Sequence, residues 1–507
     1  MAIPKVVGIE TEFGIMVRGS VDWNPVSASS LLINSYVDSV SRHVAKQNAI
    51  VGWDFVDESP GTDARIEHGS EDQSPPAVET HLVNAVLTNG ARYYVDHAHP
   101  ELSTPECRDA YSAVLYDRAA ELILIDSMIS ATESLPSGQE LIIYKDNTDR
   151  KGNAYGCHEN YLLDRRIPFG QIVKAATCHF VSRQIYTGSG KVGSEWPGEE
   201  IDYQITQRAE HFEEHVGLET TLKRPIVNTR DEPHADNSKY RRLHVIAGDA
   251  NMSQVGTFLK LGTSAIVFAM LEDSMYDLDL EFRDPVRAMH HVSHDLTLAA
   301  PFEMSDGTKM TALELQWYLF EQAQKWADDR GLEAVGETHG LAVMQRWENV
   351  LSGLESDPAS LSDQVDWIAK KRILDGFVER HDCDWSDQRL RALDLQYHDL
   401  RPAKSLSARA GLQTIVADVD AKRAMTEPPE DTRAYFRGKC LQKFAADVVA
   451  ANWDSIVFDV GDEPLRRVPM FEPLRGTAAH VEAIVDECES AAELVEKLSG
   501  SGSTESD

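Results

Sequence analysis

Two glutamates begin the chemistry of this chain. Glu10 and Glu12 lie in VVGIETEFGI, where strand alternation puts both carboxylates on one face. Clustered oxygen donors suit a hard divalent cation such as magnesium. Alone, such a pair more often marks a solvated face of an antiparallel strand. A second set stands in ARYYVDHAHPELST. There Arg92, Tyr94 and Asp96 share a face, with Glu101 and Thr104 just beyond. An arginine, an aromatic hydroxyl and two acids so close together form an unusual group. Asp96 suits a general base or a nucleophile; its plainer alternative is an ion pair with a neighbouring arginine. A core position is the plainer alternative for Tyr94. His97 and His99 flank this face and are weaker ligand candidates.

Two further strand-like stretches add histidines and arginines. In GCHENYL, His158 and Asn160 share a face, although imidazole favours softer ions over magnesium. In KYRRLHVIAGDANMS, Arg242, His244 and Ile246 share one. An arginine beside a metal-ligating histidine suits a polyphosphate bridged to a cation; a surface strand of weakly paired arginines is the alternative. Arg208 in ITQRAEHF and Arg230 in NTRDEPHAD bring more positive charge into an acidic chain. The sequence has no Walker A motif and no GxGxxG before a helix, so a nucleotide site must be built another way. Acids, histidines and arginines on one face of antiparallel strands, with cations between that face and a nucleotide, are the plan of a glutamine-synthetase-like carboxylate–amine ligase sheet.

The elements that position these residues follow from periodicity and turn signals. Residues 3–17 are expected as a strand, 30–50 as a helix, and Ala91–His97 as a strand after the turn Asn89-Gly90. Leu115, Ala119, Leu122, Ile125 and Ile129 predict the buried face of a helix over 108–132. Leu141–Lys145 and Tyr240–Ala247 are further strands. The region 308–400 is helical, with a stripe at Leu315, Leu319, Ala323 and Trp326. Residues 57–80 break all periodicity, within an irregular insertion over about 45–80 that is expected to modulate access to the site. Pro428-Pro429 marks a linker. The expected fold is α+β: an antiparallel sheet with helices packed on one face in residues 1–425, then a small C-terminal domain over 430–495. Residues 496–507 are expected as a disordered tail.

A length of 507 residues can bury a large core. The net charge of −34 argues against a nucleic-acid partner, which needs a basic footprint. No apolar run is expected to approach the length that spans a bilayer, and the N-terminus lacks a secretory signature, so a cytoplasmic location is the default expectation. Six cysteines without any CxxC fit reduced structural thiols rather than a zinc or disulfide framework.

The segments GIETEFGI, LTNGARYYVDHAHPE, NTDRKGNAYGCHENYL, NTRDEPHAD, KYRRLHVIAGDANMS and PPEDTRAYFRG extend from residue 6 to about 440. Together they resemble the enzymes of pupylation, the family of the Pup ligase and the Pup deamidase/depupylase, Pup being the prokaryotic ubiquitin-like protein. The insertion at 45–80 and the wording VDHAHPE, where the ligase has Gly-Ser before His-Pro-Glu, resemble the hydrolase branch. This resemblance implies ATP, or ADP with phosphate, and Mg2+ as cofactors, and Pup and pupylated proteins as partners of a monomer. It implies Glu10, Glu12, Tyr94, Glu101, His158 and His244 as the metal cluster and Asp96 as the catalytic aspartate. Arg92, Thr104, Asn160 and Arg242 are implied as cofactor-binding residues, Arg208 and Arg230 as arginines for phosphate and the C-terminal residue of Pup, and Trp453 as an aromatic over the adenine. The implied activity is hydrolysis of the isopeptide bond between Pup and substrate lysines, with deamidation of a C-terminal Gln of Pup. An ATP-dependent Pup–protein ligase is the alternative. Two positions depart from the family wording: Asp146 stands where Asn is usual, and Cys157 where Thr is common in the hydrolases. Docking of acidic Pup calls for a basic, partly apolar groove, for which Arg241 and Lys239 are candidates.

Overall fold

The computed structural model describes residues 1–43, 51–56, 58, 61–65, 82–149, 152–196, 201–221, 223–461 and 464–500. The expected strand at 3–17 is two strands, β1 (Val7–Glu12) and β2 (Gly14–Arg18). They are followed by α1 (Pro25–His43), β3 (Gly52–Trp53), β4 (Asn84–Val86), β5 (Arg92–Asp96), β6 (His99–Ser103), α2 (Ala110–Glu133), β7 (Glu140–Tyr144) and β8 (Cys157–Asp164). A ten-stranded sheet dominates the molecule. Its order is Tyr240–Val245, β8, β1, β6, β5, β4, β3, Val448–Ala451, Ser455–Phe458 and Arg466–Pro469. Every neighbouring pair is antiparallel except β3 with Val448–Ala451.

Strand alternation divides the sheet chemically. Val7 and Ile9 of β1, Tyr161 and Leu163 of β8, and Leu243 and Val245 of the neighbouring strand enter the main core. Helical residues such as Val114, Ala175 and Phe268 cover that side. The opposite side carries the acids, histidines and arginines. Beneath them, fully buried Glu159 points to the helical side and takes a bidentate ion pair from Arg183, with Nη2–Oε1 at 2.6 Å and Nη1–Oε2 at 2.9 Å. A charge can sit there only because it is matched and hydrogen-bonded.

Several elements depart from their expected form for identifiable reasons. Helix α2, capped by Asp109 accepting from the Ser112 amide at 2.8 Å, buries much more than one stripe. It is enclosed by α1, β7 and the helices Gln254–Glu272 and Asp418–Ala424. Asp117 and Glu121 are turned inward because buried Lys145 pairs with both, at 2.7 and 2.8 Å, whereas Ile129 of the expected apolar stripe is 56% exposed. Helix Gln254–Glu272 corrects the expectation about apolar runs: its length and composition suffice to cross a membrane. It is the central core helix instead, with 94% of the apolar window buried inside the protein. The stripe Leu315, Leu319, Ala323 and Trp326 is buried as expected in helix Ala312–Arg330, which a Thr311/Glu314 capping box begins.

Within the insertion expected at 45–80, residues 44–50, 57, 59–60 and 66–80 lie outside the described residues. Of the described remainder, two short stretches pair with the rest of the protein. Strand β3 joins the large sheet, and residues 62–64 pair with 229–231 through the Asp63–Arg230 bridge and the Ala64 N–Thr229 O and Asp231 N–Thr62 O hydrogen bonds.

The region 430–495 has a core of its own, containing Phe436, Phe444, Ile456, Phe458, Val485 and Leu494. The same core takes in Val51, Trp53 and Val86, so this region also extends the large sheet. Helix Ala491–Gly500 carries order through residues 496–500 of the expected tail, because Leu494 packs inward and Glu493 pairs with Lys497; residues 501–507 lie outside the described residues.

The linker between these parts is held by Glu106, which pairs with Arg433 (2.6 Å) and Arg437. Burial pushes the Glu106 carboxyl up, but the two guanidiniums outweigh it and bring it from an ordinary 4.5 to about 2. Its ion pairs therefore stabilise the fold above the ordinary value, and that contribution fades as pH falls toward 2. Glu106→Gln leaves two buried arginines short of a counter-ion and should cost about 3–5 kcal/mol. The stability gap from wild type, measured by denaturant unfolding, should be constant above about pH 5 and narrow at lower pH. A gap under about 1 kcal/mol at neutral pH would show that Glu106 is not the latch.

Candidate active site

Five adjacent strands bring the polar residues together by register. Glu10 lies opposite His158 on β8 and Ser103 on β6, and Glu12 lies opposite Glu101. Tyr94 faces Glu101, and Asp96 faces His99. On the other flank Asn160 faces His244. Paired residues project to the same side, so one surface carries Glu10, Glu12, Asp96, Glu101, His158, His244, Arg92 and Arg242.

Two donor sets result. Glu10, His158 and His244 offer ligand atoms all within 4.8 Å of one another, and so do Glu12, Asp96 and Glu101. Around the first set, Asn160 Nδ2 donates to Glu10 Oε1 at 2.8 Å, and Arg242 Nη1 donates to Asn160 Oδ1 at 2.9 Å. Burial pushes the Glu10 carboxyl up, but His158, His244 and Arg242 outweigh it and hold it well below the usual carboxylate range. Burial keeps the His244 imidazole well below its usual range, which leaves a ring nitrogen available as a donor to a metal.

The second set is acid-rich. Glu12 accepts from the Gly156 amide at 2.8 Å and stands 3.5 Å from His99 Nδ1. Burial, then the charges of Asp96, Glu12 and Glu10, push the Glu101 carboxyl well above the usual range. Burial and Glu101 push the Tyr94 hydroxyl up as well. Three converging carboxylates, one of them strained toward protonation, are the donor chemistry of a hard divalent cation. Asp96 stands at the open edge of this set, its side chain 38% exposed. A turn through His97 at φ +52° ends β5 there, a left-handed conformation uncommon outside glycine.

Beside the first set opens a pocket, about 570 Å3 of space with the open solvent at its mouth counted in. Thr104, Asn160, Arg242 and Trp453 all line it, together with Glu10 and Gly8. The Thr104 hydroxyl accepts from the Ile9 amide at 3.0 Å, which sets the pocket floor on β1.

The remaining proposed residues do not line this pocket. Arg92 is not in the pocket wall; its guanidinium stacks 3.9 Å from the Trp53 ring centroid and 4.0 Å from that of Tyr94. Arg208 is 1% exposed and donates to the Ile246 carbonyl at 2.5 Å, while burial and Arg224 push it down to about 10. Arg230 is half-buried, and burial with Arg242 lowers it, against the pull of Glu10. The groove candidates are already engaged. Arg241 lies 3.3 Å from Asp231 and stacks over Phe169, and Lys239 pairs with Glu472 and Asp236.

Reading the sequence residue by residue left out Gly8, Glu106, His234 and Arg433, all of which line the pocket. Arg433 and His234 stood in the segments PPEDTRAYFRG and NTRDEPHAD, but strand alternation cannot place residues from loops and a distant helix. Gly156 was also passed over. A Cβ there would lie 2.2 Å from His158 Nε2, so only glycine lets that imidazole sit beside Glu10.

A sheet that presents two cation-type donor sets beside a pocket and a partly exposed carboxylate has the residue types of a metal-assisted enzyme. Comparison with known proteins makes this specific. The family model described as Pup-ligase protein matches residues 5–457. The chain is 48% identical to a depupylase of Acidothermus cellulolyticus, over 98% of this chain and 99% of the relative. It is 44% identical to the Pup deamidase/depupylase of Mycolicibacterium smegmatis (97% and 99%) and 37% identical to a Pup–protein ligase of Kineococcus radiotolerans (80% and 90%). Among solved structures, the Pup ligase in complex with ADP matches with a TM-score of 0.72 at 33% identity, covering 80% of this chain and 89% of that one. The complex of Pup with its ligase matches with a TM-score of 0.79 at 28% identity, covering 98% and 93%. The chain therefore belongs to the Pup ligase and Pup deamidase/depupylase family, and it has that family's α+β fold, as the resemblance implied.

Proposed function

We propose that this chain hydrolyses the amide bond between the side-chain carboxyl of Pup's C-terminal Glu and a lysine of the attached protein. On a Pup ending in Gln it releases ammonia from the equivalent amide. The observation that carries this reading is the identity gap: 44–48% to relatives named as depupylases or Pup deamidases, over nearly the whole chain, against 34–37% to those named as ligases.

The chemistry rests on Asp96, whose exposed carboxylate supplies the electron pair that attacks the amide carbon. It does so directly, forming an anhydride that water then opens, or through a water it deprotonates. Both routes expel the lysine amine or ammonia. A cation such as Mg2+ would be held by Glu12, Glu101 and Tyr94, and by Glu10, His158 and His244. It would supply Lewis-acid polarisation of a bound carbonyl or phosphate oxygen. Asn160 fixes Glu10 by hydrogen bonding, and Arg242 fixes Asn160, so this edge is pre-organised for an anionic ligand. The adjoining pocket takes ATP or ADP as a bound cofactor, because amide hydrolysis needs no phosphoryl energy.

The test is to incubate a purified Pup–protein conjugate with the enzyme and magnesium nucleotide. Free Pup should appear without stoichiometric nucleotide loss. Conjugates formed from free Pup, with matching ATP consumption, would establish the ligase instead.

A further inference from the structure

The turn between β5 and β6 is made by His97 and Ala98 and closed by the Asp96–His99 pair. The first position of such a short turn often needs a positive φ, and glycine or asparagine usually fills it. Here it is a histidine, at φ +52°. A side chain in that conformation is strained, and strain of this kind collects at functional sites. The turn is also tied down, because the Ser29 hydroxyl of α1 donates to the Ala98 carbonyl at 2.9 Å.

The two histidines of this hairpin face different ways. His99 turns inward, its side chain 28% exposed, with its ring 4.4 Å from that of Tyr155 and Nδ1 3.5 Å from Glu12. His97 turns outward, 68% exposed, and its Nδ1 stands 3.1 Å from Asp96 Oδ2. An exposed contact adds little to stability, so the fold alone does not account for a strained residue there. Its position does. Asp96 has Glu12 and Glu101 on one side and solvent on the other. A donor on Oδ2 stops the carboxylate from swinging and leaves Oδ1 to the substrate. Such contacts align fully only when substrate is bound.

We infer that His97 is a positioning residue for Asp96: Nδ1–H holds Oδ2, so that Oδ1 is presented to the amide carbon or to the attacking water. This rests on the role proposed for Asp96. It needs a donor at that point, not an imidazole that changes charge. The side-chain amide of asparagine places an N–H donor much as Nδ1 does, and asparagine also accepts a positive φ.

Two variants test this on a purified Pup–protein conjugate. His97→Gly keeps the backbone and removes the donor, whereas His97→Asn keeps both. His97→Gly should lower kcat about ten- to a hundredfold with KM unchanged, the order of loss when a reacting group is misaligned. His97→Asn should restore most of that loss, and both variants should melt with wild type. Full activity in His97→Gly would overturn the inference. So would an equal loss in both variants, which would assign the effect to the ring and not to the donor. A rise in KM alone would make His97 a substrate contact instead, and a matching fall in melting temperature would make its role structural. Wild type that releases no Pup would overturn the hydrolytic reading itself, a result that failure of the His97 role cannot produce.

Discussion

Asp96→Asn should abolish release of Pup from conjugates, lowering the rate by about three orders of magnitude or more, as expected when a nucleophile or its activating base is lost. The substitution is nearly isosteric, but the amide has no charge to deliver to a carbonyl carbon. Asp96 is the carboxylate at the open edge of the Glu12, Asp96, Glu101 set, where a substrate can reach it. It does not line the pocket of Thr104, Asn160 and Trp453, so nucleotide affinity should stay within about twofold, consistent with uncoupled sites. Single-turnover cleavage and nucleotide titration on the same preparation check both halves. Retained cleavage would remove Asp96 from the mechanism. Turnover of wild type in 18O water tests the covalent route: label accumulating in Asp96 marks an anhydride opened at the aspartyl carbonyl, whereas label confined to Pup fits either direct attack by water or an anhydride opened at the Pup carbonyl.

Gly8→Val should have the opposite signature, losing nucleotide binding while keeping the fold. Residue 8 faces the same way as Glu10 and forms the pocket floor on β1. A Cβ there would meet only the Thr104 hydroxyl, at 3.6 Å, an ordinary contact, so the strand itself accepts a side chain. Valine favours strands, and its two methyl groups would stand in the space that a ligand needs. Saturating Mg–ATP should raise the wild-type melting temperature, since a ligand at a hundred times its Kd stabilises by about 2.7 kcal/mol. The variant should melt near the ligand-free wild type and show almost no such shift. Because the bound nucleotide is a cofactor of the proposed reaction, cleavage should fall with it. A full nucleotide shift in Gly8→Val would mean that the nucleotide lies elsewhere. Asp96→Asn and Gly8→Val therefore dissect the site: one removes chemistry without binding, the other binding with chemistry.

The pattern of candidate residues was legible wherever the rule was local. Two-residue alternation alone put Glu10 with Glu12, Arg92 with Tyr94 and Asp96, His158 with Asn160, and Arg242 with His244. The helix stripe of Leu315, Leu319, Ala323 and Trp326 was legible for the same reason. Local rules failed where a distant partner changed the value of a residue. Asp117 and Glu121 of α2, outside the expected apolar stripe, are buried because Lys145 pairs with both. The apolar helix Gln254–Glu272 and the ordered parts of the insertion depend on what encloses or pairs with them.

By itself, then, the sequence determined the ligand types, the face of each strand that carries them, and through its motifs the family. The tertiary structure decided which residues meet. Strand register, a non-local property, divides the donors into Glu10–His158–His244 and Glu12–Asp96–Glu101. Chain return over more than 300 residues brings Arg433 and Trp453 to the pocket beside Gly8. Burial turns Arg208 toward the Ile246 carbonyl and leaves Asp96 half-exposed. No spacing along the chain encodes those outcomes, because each depends on what packs against the residue from elsewhere.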